Sequence, residues 1–468
     1  MGLSLIIEKT AETDLFRQIA DAIRNAIAAG QVVPGARLPS ARALSEQLCV
    51  GRGTVDAAYA MLAGEGAIVS RRGSGTVVSG NIGARLVSTE ATPFMFAPDI
   101  TVPNRLPVAL RPRLPALDAF PIAIWSRLVA EAAREISPAE LADPDPAGLL
   151  ALRAAIAAWL TTHRGVACSA ANVVVTAGFQ GALALTRGVL LGRGDAVWVE
   201  DPGHPSIRQA LEAAGARVVP VRIDDDGMRV ASGIAAAPKA KLAVVTPPHQ
   251  YPNGMALSLP RRLELLAWAS EVEAWVLEDD TDSVFRLNGR PLQPLKSLDR
   301  GRRVIQAGSF SQTLFPALRL GYLVVPNELC DAFERAARLL TLGQPSLEQR
   351  ALAAFLAKGH FIRHLSKMRR LYTERRTALT VALRETFGEE VLSQMPPGGL
   401  HLIARLADAV DDTVLAKRAL TAGLAPCALS SLSAAHGNGQ GLLLAYSNIP
   451  ANRAGETVGK LKRAIETM

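Results

Sequence analysis

Between Ala147 and Glu278 the chain alternates helix-like and strand-like segments, and few folds accept that order. Helical stretches at Ala147 to Leu160, Gly181 to Leu191, Ser206 to Ala214 and Leu259 to Ser270 are interleaved with strand-like runs. Those runs are Val173 to Val175, Ala196 to Glu200, Val218 to Val221, Leu242 to Val245 and Trp275 to Glu278. The alternation predicts a doubly wound, mainly parallel sheet with helices on its faces. Ligands of such sheets bind at the loops after the strands, and here those loops carry the polar residues. At 468 residues and 49% hydrophobic content the chain can build more than one core.

One loop stands out. The apolar pair Val304 and Ile305 runs into Ser309-Phe310-Ser311-Gln312-Thr313-Leu314-Phe315-Pro316-Ala317-Leu318-Arg319-Leu320-Gly321-Tyr322. Its two serine hydroxyls and the Arg319 guanidinium can converge on one anion.

The first eighty residues read differently. Leu15, Ile19, Ala22, Ile23, Ala26 and Ile27 recur at helical spacing between a Thr13/Asp14 cap and Gly30. Ser40 can cap a short helix ending near Leu48. A Cys49-Val50-Gly51 turn then leads to a second helix with Val55, Ala58, Tyr59 and Leu62 on one face. Two short helices around a tight turn suggest helix-turn-helix. The β-prone runs Ala67 to Val69 and Thr76 to Val78, joined through Arg71-Arg72-Gly73-Ser74-Gly75, suggest a wing. From Ser79 to about Leu110 no period is sustained and Gly, Pro, Ser and Thr mix, as in a tether.

The N-terminal block resembles the GntR-family winged helix, following its pattern LPSxRxLxxxLxVxRxTVxxAYxxLxxEGxxxSRxGSGTxV. The resemblance implies Arg42, Arg52, Thr54, Arg72 and Gly73 as DNA contacts, with the second helix entering the major groove. Gly51 and Gly53 stand where that family more often has polar residues, so one cap and one contact are missing.

From Arg111 on, the chain resembles the aminotransferase-like domain of MocR/GabR-type transcriptional regulators, whose fold is fold-type I of the enzymes dependent on pyridoxal 5'-phosphate (PLP). Thr176 to Gln180 matches "TSGAQ", whose glycine, Gly178 here, lets helix N–H groups approach a phosphate. Glu200 to Pro205 matches "EDPGYP", His249 to Gly254 matches "HQFPTG", and Pro397 to His401 matches a small-domain turn. Glu278 to Ser283 matches "EDDYDS", in which the aspartate at Asp279 pairs with the PLP ring nitrogen. Ser309 to Tyr322 matches the cofactor-lysine segment, with Gln312 where the lysine stands. A glutamine amide is not nucleophilic and forms no Schiff base. Further departures are His204, Thr281 and Asp143 in place of tyrosines, and Leu443 in place of the arginine that binds a substrate carboxylate.

The resemblance implies a multidomain protein: a winged helix-turn-helix over residues 1–78, a linker over 79–110, and a large α/β aminotransferase-like domain over 111–468 with a small C-terminal α+β subdomain. It implies a DNA-binding transcriptional regulator, homodimeric and cytoplasmic, whose large domain is catalytically inactive and senses a small effector. No cofactor is held covalently; PLP bound non-covalently and another phosphate or carboxylate ligand both stay open. The expected pocket comprises Gly178, His204, Asp279, Thr281, Ser309, Ser311, Gln312 and Arg319, and the expected partner is a double-stranded DNA operator. A working aminotransferase and a ligand-free dimerisation scaffold are the alternatives. Asp279, Ser309, Ser311 and Arg319 also admit a purely structural reading, with Asp279 capping a loop and Arg319 buried and paired.

Other signals fit this reading. Fifty-one Lys and Arg against 43 Asp and Glu permit a polyanionic partner without requiring one. The four cysteines are far apart in sequence, as expected of a reducing compartment. No apolar run is long enough to span a bilayer. His360 and His364 read as part of a solvated basic face with Arg363, Lys367, Arg369 and Arg370, not as metal ligands. The acidic run Glu278, Asp279, Asp280 and Asp282 lacks calcium-loop spacing.

Overall fold

The computed structural model describes residues 7, 13–71, 75–80, 108–281, 283–287, 289, 292–392, 395–405, 411–437 and 439–466. The chain divides into two compact units, Met1–Asp99 and Ile100–Met468.

The first unit contains helices α1 (Leu15–Ala28), α2 (Ala41–Leu48) and α3 (Arg52–Gly64), then strands β1 (Ile68–Arg71) and β2 (Gly75–Val78). Ile19, Ile23, Leu44, Val55 and Leu62 are fully buried between the helices, and Ile68 and Val78 close the core from the strands. The Ser40 hydroxyl caps α2 by accepting the Ala43 N–H at 3.1 Å. Cys49 ends α2 in the left-handed region, which turns the chain sharply into α3. Gly51 precedes α3 and supplies no side-chain cap. β1 and β2 pair antiparallel, with Ile68 opposite Val78 and Arg71 opposite Gly75. Arg72 and Gly73 lie outside the described residues, as does most of the expected linker.

The second unit is built on strands β3 (Val173–Thr176), β4 (Ala196–Asp201), β5 (Arg217–Asp224), β6 (Gly227–Met228), β7 (Leu242–Val245), β8 (Trp275–Asp279), β9 (Val304–Ser309) and β10 (Gly321–Val324). They form one sheet in the order β3-β10-β9-β8-β7-β4-β5-β6. β5, β4, β7, β8 and β9 run parallel; β4, β7, β8 and β9 are buried almost throughout, whereas β5 alternates between buried and exposed positions. β10 instead runs antiparallel to both β9 and β3. The mainly parallel expectation fails there because segment 310–320 is shorter than the dozen or so residues a parallel crossover needs.

The helix expected at Ala147 begins at Leu150 and continues to Arg164. Gly148 takes a left-handed conformation and Asp145 accepts the Ala147 N–H at 2.9 Å, so the chain turns before it coils. The helix expected at Gly181 starts at Gly178 instead. Strands β11 (His401–Arg405), β12 (Cys427–Ala428) and β13 (Gly441–Ala445) form a small antiparallel sheet in the order β11-β13-β12, packed with the long helix His360–Phe387 through the same core. The segment before the large sheet docks here. The Ala445 N–H donates to Leu110 O at 3.1 Å, and Asn448 Nδ2 donates to Arg111 O at 2.8 Å. No helix among the described residues is long and apolar enough to cross a membrane.

Candidate functional site

Strand pairing brings the expected pocket residues together. Gly321 lies opposite Ser309 on one side and Thr176 on the other. A Cβ on Gly321 would stand 2.7 Å from Gly308 O and 2.9 Å from Gly178 Cα, so only glycine lets the three strand ends meet. Gly178, with φ +67°, opens the helix Gly178–Leu190 beside them. A Cβ there would lie 3.8 Å from Ser309 Oγ and 3.9 Å from Ser311 Oγ. Both hydroxyls therefore stand at a helix N-terminus, where free N–H groups favour an anion.

These residues border a cavity of about 350 Å³ whose wall includes His204, Thr281, Gln312 and Arg319. Arg319 is exposed, with φ +53°, and makes no hydrogen bond or ion pair among the described residues. Its buried and paired reading is corrected: the left-handed turn after Pro316–Leu318 carries the side chain outward. Ser309 Oγ accepts the Ser311 N–H at 3.2 Å, while the Ser311 hydroxyl has no partner among the described residues.

The carboxylate side is organised differently. Asp279 Oδ1 accepts both the Thr281 N–H, at 3.0 Å, and the Thr281 hydroxyl. Burial pushes the Asp279 carboxyl upward, against the charge of Arg113 and the bonds from Thr281. Asp279 borders not the main cavity but a smaller recess that shares Arg113 and His204 with it. Asp280 is buried against Arg164 at 2.8 Å and accepts Gln306 Nε2 at 2.9 Å. Glu278 accepts the Leu295 and Lys296 N–H groups. The acidic run is thus spent on structure, with Asp282 outside the described residues, and no group of three metal-ligating side chains occurs among the described residues.

His204 caps the helix Pro205–Ala213 and stacks on Tyr251 with ring centroids 5.3 Å apart. Burial and the nearby Arg113 charge hold its imidazole down at about 3, so it is a neutral aromatic wall at pH 7. The same burial holds His249 at about 3 and His401 at about 4, and raises Glu200 to about 7.

Sequence reasoning missed Arg113. Its backbone has φ +64°, its guanidinium lies 5.5 Å from the Tyr251 ring centroid, and it borders both recesses. The available signal was its place in Arg111-Pro112-Arg113, between an apolar tether and the first folded segment. Gln180 and Ser206, which hydrogen-bond at 2.7 Å, were also missed as wall residues.

Two departures lie elsewhere. Asp143, which the resemblance directs toward a partner subunit's phosphate, is exposed at the end of the helix Pro138–Ala142 and does not border this chain's own cavity. Leu443 is fully buried among Tyr251, Ile403, Leu429 and Leu432. The solvated-face reading is corrected for His364, which is buried with Nε2 2.8 Å from Thr313 O. It is corrected for Arg369 too, which donates to Val284 O because its stem packs inward.

As a seat for PLP the cavity fits at one end only. Gly178, Ser309, Ser311 and Arg319 suit a phosphate, whereas no lysine among the described residues borders the cavity and Gln312 cannot form an imine. Lys296 donates to Val304 O at 2.6 Å and borders a separate hollow.

In the first unit, Arg42 and Arg52 project from the starts of α2 and α3 with 80% and 71% of their side chains exposed. Each meets an acid one turn on, Glu46 at 3.1 Å and Asp56 at 3.6 Å. Such exposed pairs are weak and yield readily to phosphates. Thr54 lies between them and the core, half-buried.

Residues 126–426 match the family of aminotransferase class I and II, and residues 15–78 match the bacterial regulatory proteins of the gntR family. The chain is 34% identical to the probable rhizopine catabolism regulatory protein MocR of Rhizobium meliloti, over 98% of this chain and 95% of that protein. It is also 34% identical to the pyridoxine biosynthesis regulator PdxR of Corynebacterium glutamicum, over 95% of each. Among solved structures, the kynurenine aminotransferase of Pyrococcus horikoshii, in complex with PMP, superposes with a TM-score of 0.69 at 26% identity, covering 78% of this chain and 91% of that one.

Proposed function

The chain belongs to the aminotransferase class I and II family, among relatives that carry a gntR-family domain, and from that premise we propose that it is a DNA-binding transcriptional regulator that senses a small anion. The observation that carries the DNA half is the start of α3 within the gntR match, where the Arg52 side chain is exposed and Thr54 is half-buried two positions on. Relatives named as transcriptional regulators align over nearly the whole chain. The division is a winged helix over residues 1–78, a tether over 79–110 and a sensing domain over 111–468.

The open Arg319 and Ser311 supply the anion seat, and Gln312 in place of an amine excludes covalent PLP chemistry at that position. The large domain is therefore an inactive aminotransferase fold that binds its ligand reversibly. Two copies of the chain place two winged helices on one operator, and a ligand that favours one pose of the pair shifts DNA affinity by its differential binding. The cytoplasm is the corresponding compartment.

Fluorescence anisotropy with DNA from the region upstream of the protein's own gene tests this. We expect log affinity to fall linearly with log salt, and Arg52→Ala to weaken binding about tenfold and flatten the slope by about one. Unchanged affinity in Arg52→Ala would refute the assignment of α3.

A further inference from the structure

Gln312 is 2% exposed, it stands in the cavity wall, and neither its Nε2 nor its Oε1 has a hydrogen-bond partner among the described residues. A primary amide carries two N–H donors and a carbonyl acceptor, and burying both sides unpaired forfeits their hydration with no return. The backbone around it is fixed. The Leu314 N–H donates to Phe310 O at 2.8 Å, Thr313 Oγ1 donates to the same carbonyl, and His364 Nε2 holds Thr313 O from the helix His360–Phe387. Those bonds hold the backbone, so the amide meets a partner only by turning its own side chain. Buried polar groups in native proteins are nearly always paired, and a fixed exception in the wall of a cavity with an open anion seat asks for a partner.

We propose that Gln312 is a specificity-determining ligand contact: the cavity takes an anion whose far end carries an acceptor and a donor side by side, as a primary amide, lactam or urea does, and Gln312 pairs with that edge. The inference rests on the reading of the cavity as a reversible anion seat. A carboxylate would answer Nε2 and set an anionic oxygen against Oε1. An aldehyde would answer Nε2 alone, and an amine Oε1 alone. An amide edge answers both, and neutral His204 in the same wall offers a flat face to the ring or plane that bears it. Sites built around a paired polar edge reject analogues that lack it, because the protein's own groups are then left bare.

Calorimetry on the full chain tests this with three probes: inorganic phosphate, nicotinamide mononucleotide and nicotinic acid mononucleotide, the last two differing as amide and carboxylate. Wild type should bind the amide probe about 10- to 100-fold more tightly than the acid. Gln312→Leu should erase that preference, leave phosphate affinity unchanged, and raise the melting temperature of the ligand-free protein by relieving the unpaired amide. The proposal is overturned if the preference survives in Gln312→Leu, if wild type binds the acid as well as the amide, or if phosphate binds and neither mononucleotide does. It is equally overturned if Gln312→Leu lowers the melting temperature, which would mark a structural glutamine. Absence of phosphate binding in wild type, or phosphate binding untouched in Arg319→Ala, would instead refute the anion seat beneath it.

Discussion

The open side of the site, at the cavity, and its acidic side, at the recess beside it, use their polar groups in opposite ways. At one end Arg319 and the Ser311 hydroxyl are accessible and uncommitted, beside a helix N-terminus freed by Gly178. At the other, Asp279 is held by Thr281, and Asp280 by Arg164 and Gln306. Both sit at ends of strands of one sheet, β3, β9 and β10 for the first and β8 for the second, so the sheet alone does not decide which is functional. What decides is whether the protein already supplies each group's partner.

The largest effect belongs to the committed end. Arg164 and Asp280 form a pair with side chains 4% and 1% exposed. Asp280→Ala strands that guanidinium and should cost about 3–5 kcal/mol in urea denaturation, whereas replacing both partners with apolar residues should cost far less. An equal loss in both variants would show that the pair is not the source of stability. At the open end, Arg319→Ala should leave stability unchanged and weaken phosphate binding by about 1.5–3 kcal/mol, because a charged hydrogen-bond donor is removed from a solvated seat. If instead it destabilised the fold and spared phosphate, the contrast between the ends would be reversed.

The acid side of the pH–stability curve sharpens the same contrast. His249 and His401 hold folded values of about 3 and 4, below the unfolded 6.5, so the unfolded chain takes up protons that the fold refuses. Their contribution is full above pH 6.5 and is lost as pH falls. Glu200, raised to about 7 from 4.5, runs the other way: it favours the fold at low pH and loses that advantage as pH rises through 7. Between pH 4.5 and 6.5 the three histidines His204, His249 and His401 outweigh Glu200 and Glu278, which burial likewise raises to about 7. Glu200→Gln should therefore steepen the acid-side loss by about 1.4 kcal/mol per pH unit, read from denaturation midpoints across that window. An unchanged slope would show that the glutamate titrates normally. The smallest effect is expected for Gln312→Lys, which supplies an amine in the cavity wall while Asp279 stays occupied by Thr281. It should form a weak imine with PLP at most, seen by absorbance, and full occupancy would show that Thr281 matters little.

Much of this architecture was legible because it rests on local pattern. The βα alternation foretold β3, β4, β5, β7 and β8 but not the two-residue β6, and the Ser40 cap and the Cys49 turn foretold α2 and its exit. The meeting of Gly178, Ser309 and Ser311 was legible only through the family resemblance, since residues 178 and 309 are joined by the antiparallel return of β10. That return escaped the sequence reading because β10 and β3 are both short apolar runs, and periodicity gives no direction. Arg113 escaped it because its left-handed turn lies between Leu110, held by Ala445, and Leu114, held by Ser447, partners more than three hundred positions away. His364 escaped it because its basic neighbours masked one buried stripe of the helix. Whether Asp279 and Arg319 were structural could not be read at all, since partnership is a property of the folded chain.

The central claim is that the cavity holds an anion reversibly and forms no covalent bond to it. Titration of the full chain with PLP, followed by borohydride reduction and peptide mapping, tests this most directly. The account predicts PLP that is removed by dialysis and no pyridoxyl adduct on any residue bordering the cavity. A reduced pyridoxyl group fixed to such a residue would contradict it.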